Sequence, residues 1–159
     1  MKAYSSKAIA NEFIRLAKDE GKQLTQMHVH KLIYFAHAAF LVLYNRSLVG
    51  ENFQAWPFGP VLVGLYREFR DFGKNPIDRF AEDSEGIKPQ IDIDDTNALD
   101  VVKRIWEQFK GYKGWELSRF THVEGSPWDA NFEEGKSNTI PNDDILNFYK
   151  DKVKIEDGQ

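Results

Sequence analysis

An uncharged apolar run in the first third of the chain is the feature that most limits its fold. The run reads LIYFAHAAFLVLY from Leu32 to Tyr44. It falls well short of the roughly 20 residues that a helix needs to cross a bilayer. Apolar residues would lie on nearly every face of a helix built from it, which is typical of a helix packed against neighbours on several sides. We therefore predict a buried central helix over about residues 25–48, with Thr25 as its N-cap and with Phe35 and Phe40 in the core.

Five further segments place apolar residues at the three- and four-residue spacing of a helix face. They span about residues 6–20, 60–73, 96–111, 115–123 and 141–149. Pro60 is assigned to the first position of its helix, where the missing N–H of proline is not needed. The helical spacing in these segments predicts amphipathic helices that pack around the central one.

Extended structure is predicted only in short pieces. Residues 51–56 are expected to be extended, and a strand over Ile91-Asp92-Ile93, within the polar irregular stretch 74–95, is expected to pair with residues 52–56. The sequence thus predicts a mainly α fold: a single compact helical domain around a central buried helix, with a small β-hairpin or two-stranded piece. We expect one domain over residues 1–159, with its core at about 5–150 and a frayed tail at Asp157-Gly158-Gln159.

The sequence lacks the motifs that common enzyme mechanisms require. It has no Cys, which excludes disulfides, thiol nucleophiles and thiolate metal sites. It also lacks the G-x-S-x-G elbow, the Walker loop and the G-x-G-x-x-G pattern of dinucleotide-binding domains. Paired carboxylates such as Asp143 and Asp144 lie at predicted helix starts or in polar loops, where the helix dipole accounts for them. We therefore predict no catalytic residues, no cofactor and no enzymatic activity.

The four histidines are the remaining side chains of the soft or borderline kind that transition metals such as zinc favour. His28 and His30 point in different directions on a helix, and His30 and His37 lie two turns apart. His122 is distant in sequence, and the zinc-protease spacing of two histidines four residues apart is absent. We predict no metal site. His37, inside the apolar run, is interpreted as a buried histidine that is hydrogen-bonded to a carbonyl or a carboxylate.

The overall charge argues against a nucleic-acid partner. The formal net charge is −4 and the pI is near 5.6, whereas domains that bind phosphate backbones are usually basic. Local basic residues such as Lys103, Arg104 and Lys110 are interpreted as solvated helix faces. The N-terminus leads into a charged amphipathic helix without a visible signal peptide, so we expect a cytoplasmic protein with no membrane partner.

Two segments combine aromatic residues with proline outside the predicted helices. They are Trp56-Pro57-Phe58-Gly59-Pro60 and Ser126-Pro127-Trp128, and both are interpreted as rigid loops. In one interpretation, each indole caps the core beneath it. In the other, the loops form a preorganised recognition surface, because rigid aromatic residues lose little entropy on binding and often anchor interfaces.

Four short blocks, taken in order, resemble a known family. The blocks are Lys31-Leu32-Ile33-Tyr34-Phe35-Ala36-His37, Ala55-Trp56-Pro57-Phe58-Gly59-Pro60-Val61, Leu117-Ser118 with Thr121-His122, and Ser126-Pro127-Trp128. Together they resemble the Panacea domain, the SocA-like antitoxin family also described as phage-associated GepA-type proteins, over roughly residues 5–150. The resemblance implies an antitoxin that pairs with a cognate toxin, usually encoded by an adjacent gene, and neutralises it.

The resemblance also groups the two aromatic segments with Thr121 and His122. We predict that one cluster binds a partner or fixes the shape of the loops; its members are Trp56, Phe58, Gly59, Pro60, Thr121, His122, Pro127 and Trp128. His122 is expected to hydrogen-bond the backbone of residues 57–60. The predicted function is neutralisation of a toxin by direct protein–protein binding. The alternatives are a proteolytic adaptor, which would also bind a protease or chaperone, and a DNA-binding regulator.

Overall fold

Helices account for most of the regular structure of residues 2–153, the part of the chain that this computed structural model describes; the predicted frayed tail, 157–159, lies outside it. The helices are α1 (Ser6–Asp19), α2 (Gln26–Tyr44), α3 (Val63–Phe69), α4 (Thr96–Phe109), α5 (Gly114–Thr121), α6 (Pro127–Asn131) and α7 (Asn142–Tyr149). The strands are β1 (Phe53–Trp56), β2 (Gly59–Val61) and β3 (Asn138–Ile140). The prediction of a mainly α fold is confirmed.

Helix α2 is the centre of the fold. It packs against α1, α3, α4, α5, α7 and β2, which accounts for its apolar character on nearly every face. Thr25 caps it: the Thr25 hydroxyl accepts from the His28 N–H, and the His28 ring accepts from the Thr25 N–H. Phe35 and Phe40 are buried as predicted. The helix ends at Tyr44 and not near residue 48, because Asn45 adopts the left-handed conformation, φ 52°, that terminates helices.

Two buried histidines of α2 hydrogen-bond the segments packed on it. His37 accepts from the Val49 N–H (3.3 Å) through Nδ1 and donates from Nε2 to the Asn142 side-chain carbonyl (2.9 Å). His30 accepts from the Leu62 N–H (3.2 Å). Burial lowers the pKa of both imidazoles, so each is neutral with one donor and one acceptor nitrogen. The predicted role of His37 is confirmed, with an amide carbonyl as its acceptor.

The three strands form one antiparallel sheet in the order β2-β1-β3. The predicted pairing of residues 91–93 with residues 52–56 is wrong: β3 occupies that side of β1, and the Ile93 side chain is 84% exposed. The assignment of Pro60 to a helix start is also wrong, because it lies in β2 and α3 begins at Val63. An edge strand tolerates proline, since one side of it has no ladder to supply with hydrogen bonds.

The long stretch between α3 and α4 is irregular as predicted, and one side chain fixes it to α1. Asn11 is buried and donates to the carbonyl oxygens of Ala81 (3.0 Å) and Pro89 (2.9 Å). Its own side-chain oxygen accepts from the Ala81 N–H (2.7 Å). Within residues 2–153, no helix is both long and apolar enough to span a membrane.

Candidate functional site

The β1–β2 hairpin presents an exposed aromatic side chain at its tip. Trp56 and Gly59 are paired across the hairpin, so Pro57 and Phe58 form a two-residue turn. Gly59 has φ +117°, a conformation that side-chain-bearing residues rarely adopt. Phe58 points away from the core and is 67% exposed. Trp56 lies half-buried with its ring 5.0 Å from that of Tyr66.

Side chains from three helices hydrogen-bond the main-chain carbonyls of this hairpin. Trp128 Nε1 of α6 donates to the Trp56 carbonyl (2.6 Å), and Ser118 Oγ of α5 donates to the Phe58 carbonyl. His122 Nε2 lies 3.1 Å from the Pro57 carbonyl oxygen, which confirms the contact predicted for His122. Lys31 Nζ of α2 donates to the carbonyl of Pro60 (3.2 Å). Three carbonyls within residues 56–60 therefore accept hydrogen bonds from side chains of three helices, and that of Pro57 faces the His122 ring.

The α5–α6 connection orients the two aromatic donors. Ser126 Oγ donates to the Thr121 carbonyl (2.9 Å) and accepts from the Asp129 N–H (3.2 Å), which caps α6. Pro127 occupies the first helical position. The Trp128 and His122 rings lie 3.9 Å apart, centroid to centroid. The prediction of a loop at Ser126-Pro127-Trp128 is wrong, because these residues begin a helix; the serine N-cap followed by proline is the sequence signal for that start.

Gly59 packs directly on two side chains beneath the turn. A Cβ atom at this position would lie 2.8 Å from Lys31 Cε and 2.8 Å from Thr121 Oγ1. Lys31 is 2% exposed, and among residues 2–153 no carboxylate lies within ion-pair distance of it. Burial lowers the pKa of this amine to about 7. A buried amine thus supports the backbone of β2 without a counter-ion in the described chain.

The hydroxyl and imidazole groups of the cluster mainly contact the main chain, apart from one long contact between Thr121 Oγ1 and His122 Nδ1 (3.3 Å). Thr121 Oγ1 donates to the Ser118 carbonyl (2.6 Å), and His122 Nδ1 lies 2.6 Å from the same oxygen. The Ser118 hydroxyl is directed to the Phe58 carbonyl, so it makes no bond of the kind that links a nucleophile to its base. Within residues 2–153, no three His, Asp or Glu side chains group together as metal ligands. The bonds of this cluster fix backbone shape.

The eight residues singled out from the sequence lie in one cluster, and Trp56 and Trp128 are joined by a direct hydrogen bond. Most of them are covered: Gly59, Pro60, Thr121 and Pro127 are buried, and Trp56, His122 and Trp128 are half-buried. Phe58 is the one member of the eight that projects into solvent. The geometry therefore gives seven of the eight a role in organising the hairpin and gives Phe58 an exposed position on it.

Sequence reasoning missed an exposed tryptophan on α5, the helix that carries Ser118. Trp115 is 52% exposed and lies one helical turn before Ser118, whose hydroxyl bonds the turn, and His122 follows directly after the end of the helix. The Arg119 guanidinium lies 5.8 Å from the Trp115 ring centroid, within cation–π range. The i, i+3, i+7 spacing of residues 115, 118 and 122 was the available signal. We call Phe58, Trp115 and Arg119 the turn surface.

Comparisons with known proteins place this geometry in context. The family model described as Antitoxin SocA-like, Panacea domain, matches residues 29–129, a span that includes every residue of the cluster. The chain is also similar to Antitoxin SocA of Caulobacter vibrioides (strain NA1000 / CB15N). The two are 30% identical over 129 residues, which cover 79% of this chain and 69% of that relative. No solved structure matches the chain significantly.

Proposed function

The chain belongs to the SocA-like antitoxin family defined by the Panacea domain, and from this premise we propose that it neutralises a partner toxin by direct protein–protein contact. The family implies a toxin as the partner. We propose further that the toxin is encoded by an adjacent gene, and that the chain acts by binding and without catalysis.

The single observation that carries the proposal is the exposed Phe58 on a hairpin whose carbonyls are bonded from several helices. The Phe58 side chain is 67% exposed, and exposed apolar surface is unfavourable in water. Burying it against a partner would therefore lower the free energy. The hydrogen bonds from Trp128, Ser118 and Lys31 fix the backbone that carries it. A preorganised anchor loses little conformational entropy on binding, so more of its contact energy contributes to affinity.

Trp115 and Arg119 are further exposed side chains of the turn surface. Tryptophan and arginine are residue types that are common at interface hot spots. Aromatic residues and arginine dominate the energy of protein–protein interfaces, while the contacts around them exclude water. An inhibitory interface would bury about 1,200–2,000 Å² in total. The turn surface would supply its centre, and the charged faces around it would supply the polar rim.

The test is co-expression of the chain with the adjacent gene product, followed by binding measurements on the two purified proteins. We expect the product to be toxic alone and harmless with the wild-type chain. The variant Phe58→Ala/Trp115→Ala is expected to bind at least about thirty-fold more weakly, the loss of a hot spot worth about 2 kcal/mol, and to leave the toxin active.

Ile87→Ala is the matched control, because Ile87 is also a large exposed apolar residue (58%) but lies in the irregular stretch outside the turn surface. It is expected to neutralise as well as the wild type. A product that is harmless alone, or one that stays toxic beside the folded chain, would refute the proposal. A toxin whose steady-state level falls when the chain is present, in a protease-dependent way, would favour the proteolytic adaptor; an unchanged level favours direct inhibition.

A further inference from the structure

An open groove with an apolar floor runs between α2, α4 and the end of α7, away from the residues of the turn surface. Its volume is about 910 Å³. Phe35, Ala38, Ala39 and Leu43 of α2 form one side of the floor, and Ile105 and Phe109 of α4 form the other. The two small alanines at the middle of the α2 side leave the depression that the larger residues enclose.

The groove has the length and spacing that suit an α-helix. Phe35 and Leu43 lie eight positions apart on α2, so the floor extends for about 12 Å, or roughly two helical turns. Two turns accommodate apolar side chains at positions i, i+3 or i+4, and i+7 of a docked amphipathic helix. The floor is therefore matched to a short helical segment with one apolar face.

Exposed aromatic rings continue the floor beyond one end of the groove. The Phe35 and Phe109 rings stack at 4.7 Å, and Phe109 lies 6.3 Å from Phe120. Phe120 and Tyr112 are each 40% exposed, with their rings 5.0 Å apart. These rings lengthen the apolar track, so a docked helix could bury more surface than the groove alone offers.

The rim of the groove is basic, although the chain as a whole is acidic. Lys103, Arg104 and Lys152 line it, and Glu107 is the one carboxylate among the lining residues. Glu107 is already paired with Lys110 (2.9 Å). Arg104 is likewise paired with Asp100 (2.8 Å). Within residues 2–153, neither Lys103 nor Lys152 has a carboxylate within ion-pair distance, and Lys152 bonds the Phe148 carbonyl and lies over its ring. The uncompensated charge at the rim is therefore positive.

We infer that this groove binds an amphipathic helical segment of the partner toxin, with an apolar face on the floor and acidic residues against Lys103 and Lys152. The inference rests on the proposed function for the identity of the partner. It adds a second contact region, because no residue of the turn surface lines the groove. Complementary charge would favour the encounter and select against basic helices.

The direct test uses two synthetic helical peptides of about fourteen residues with the same leucine face, one flanked by glutamates and the other by lysines. The glutamate peptide is expected to bind the full chain at least about ten-fold more tightly, and to shift amide resonances along α2 and α4. The variant Lys103→Glu/Lys152→Glu is expected to reverse this preference. Equal binding of the two peptides, no binding of either, or shifts confined to other elements would overturn the inference.

The cellular test separates this inference from the proposed function. Lys103→Glu/Lys152→Glu is expected to lose neutralisation of the adjacent-gene toxin, while the control Lys22→Glu/Lys74→Glu, which reverses two exposed charges elsewhere, retains it. Both variants replace exposed or rim lysines, and unchanged thermal unfolding verifies that they fold. If both neutralise like the wild type, the groove inference fails and the proposed function stands. If the wild type itself does not neutralise, the proposed function fails, and the peptide preference alone decides on the groove.

A second copy of the chain is the competing occupant. Analytical sedimentation of the wild type and of Lys103→Glu/Lys152→Glu over a range of concentrations distinguishes a toxin helix from a second copy as the occupant of the groove. A monomeric wild type supports the inference, whereas a dimer that the rim substitutions dissociate would assign the groove to self-association and overturn it.

Discussion

At the scale of single residues, polar side chains in this protein bond the main chain more than they bond one another. Lys31, Ser118 and Trp128 each donate to a carbonyl of the β1–β2 hairpin. Asn11 does the same for the irregular stretch, with three bonds to its backbone. The tip of the hairpin and the irregular stretch, which lie outside the regular hydrogen bonding of helices and strands, are thereby fixed, since buried carbonyl and N–H groups need partners. The conformation of the exposed turn depends on these few side-chain donors.

Gly59→Ala tests how closely the turn is fitted to its support. The new Cβ would meet Lys31 and Thr121 at 2.8 Å in a backbone conformation, φ +117°, that alanine disfavours. We expect the free energy of unfolding to fall by about 2–4 kcal/mol, from backbone strain and overpacking together. Gly21→Ala is the control, because Gly21 also has positive φ (+66°) but has no neighbour within 4 Å of its Cβ position. It should lose about 1 kcal/mol in urea denaturation, and equal losses at the two sites would contradict the close fit.

At the scale of elements, the sequence predicted what depends on local pattern. The apolar run gave α2, and amphipathic spacing gave α1, α4, α5 and α7 to within a few residues. Strand pairing was not predictable in this way. β3 has only three residues with no strong alternation, and its partner β1 lies about 80 residues earlier in the chain, so no local pattern joins the two strands.

The sequence predicted which residues form the site, but not which of them support the turn and which one is exposed. The order of the motifs brought Trp56, His122 and Trp128 together correctly. Pro60 was misplaced because proline suits both a helix start and an edge strand, and only the sheet shows which applies. The supporting role of Lys31 could not be read from sequence, since a lysine at the start of an apolar helix is ordinarily a solvated one.

Phe40→Ala and Phe58→Ala compare the core of α2 with the tip of the hairpin. Phe40 is 1% exposed, so truncation should leave a cavity and reduce the free energy of unfolding by about 3–5 kcal/mol. Phe58 is 67% exposed, so the same change should alter stability by no more than about 0.5 kcal/mol. Chemical denaturation of both variants measures the contrast. A loss below about 1 kcal/mol for Phe40→Ala would mean that α2 is not the buried centre of the fold.

At the scale of the whole molecule, buried ionisable groups predict an unusual dependence of stability on pH. Burial lowers the pKa of His28, His30 and His37, so the unfolded chain takes up protons first below about pH 6.5, and stability falls there. Burial likewise holds the pKa of Lys31 at about 7, against 10.5 in the unfolded chain. Between these two values the unfolded state binds more protons, so stability rises with pH.

Two partly buried tyrosines determine the pH above which stability stops rising. Burial raises the pKa of Tyr149 to about 12, and burial together with the hydrogen bond to Asp95 raises that of Tyr4 to about 12. Above about pH 10 the unfolded chain loses these protons first, and stability falls again. The stability maximum is therefore expected near pH 9–10, above the range of about pH 5–8 that is usual for proteins.

Urea denaturation between pH 5 and 11 tests this profile, and Lys31→Met isolates its cause. In the wild type we expect the free energy of unfolding to increase from pH 7 to pH 9.5, by at most about 1.4 kcal/mol per pH unit. Lys31→Met removes the titrating amine while keeping an unbranched apolar side chain of similar length, so its profile should be flat over that interval. Lys74→Met, at an exposed position, should keep the wild-type slope. Because no other group with a shifted pKa titrates between pH 7 and 9.5 within residues 2–153, a flat wild-type profile would mean that Lys31 is not buried as an unpaired amine beneath the hairpin.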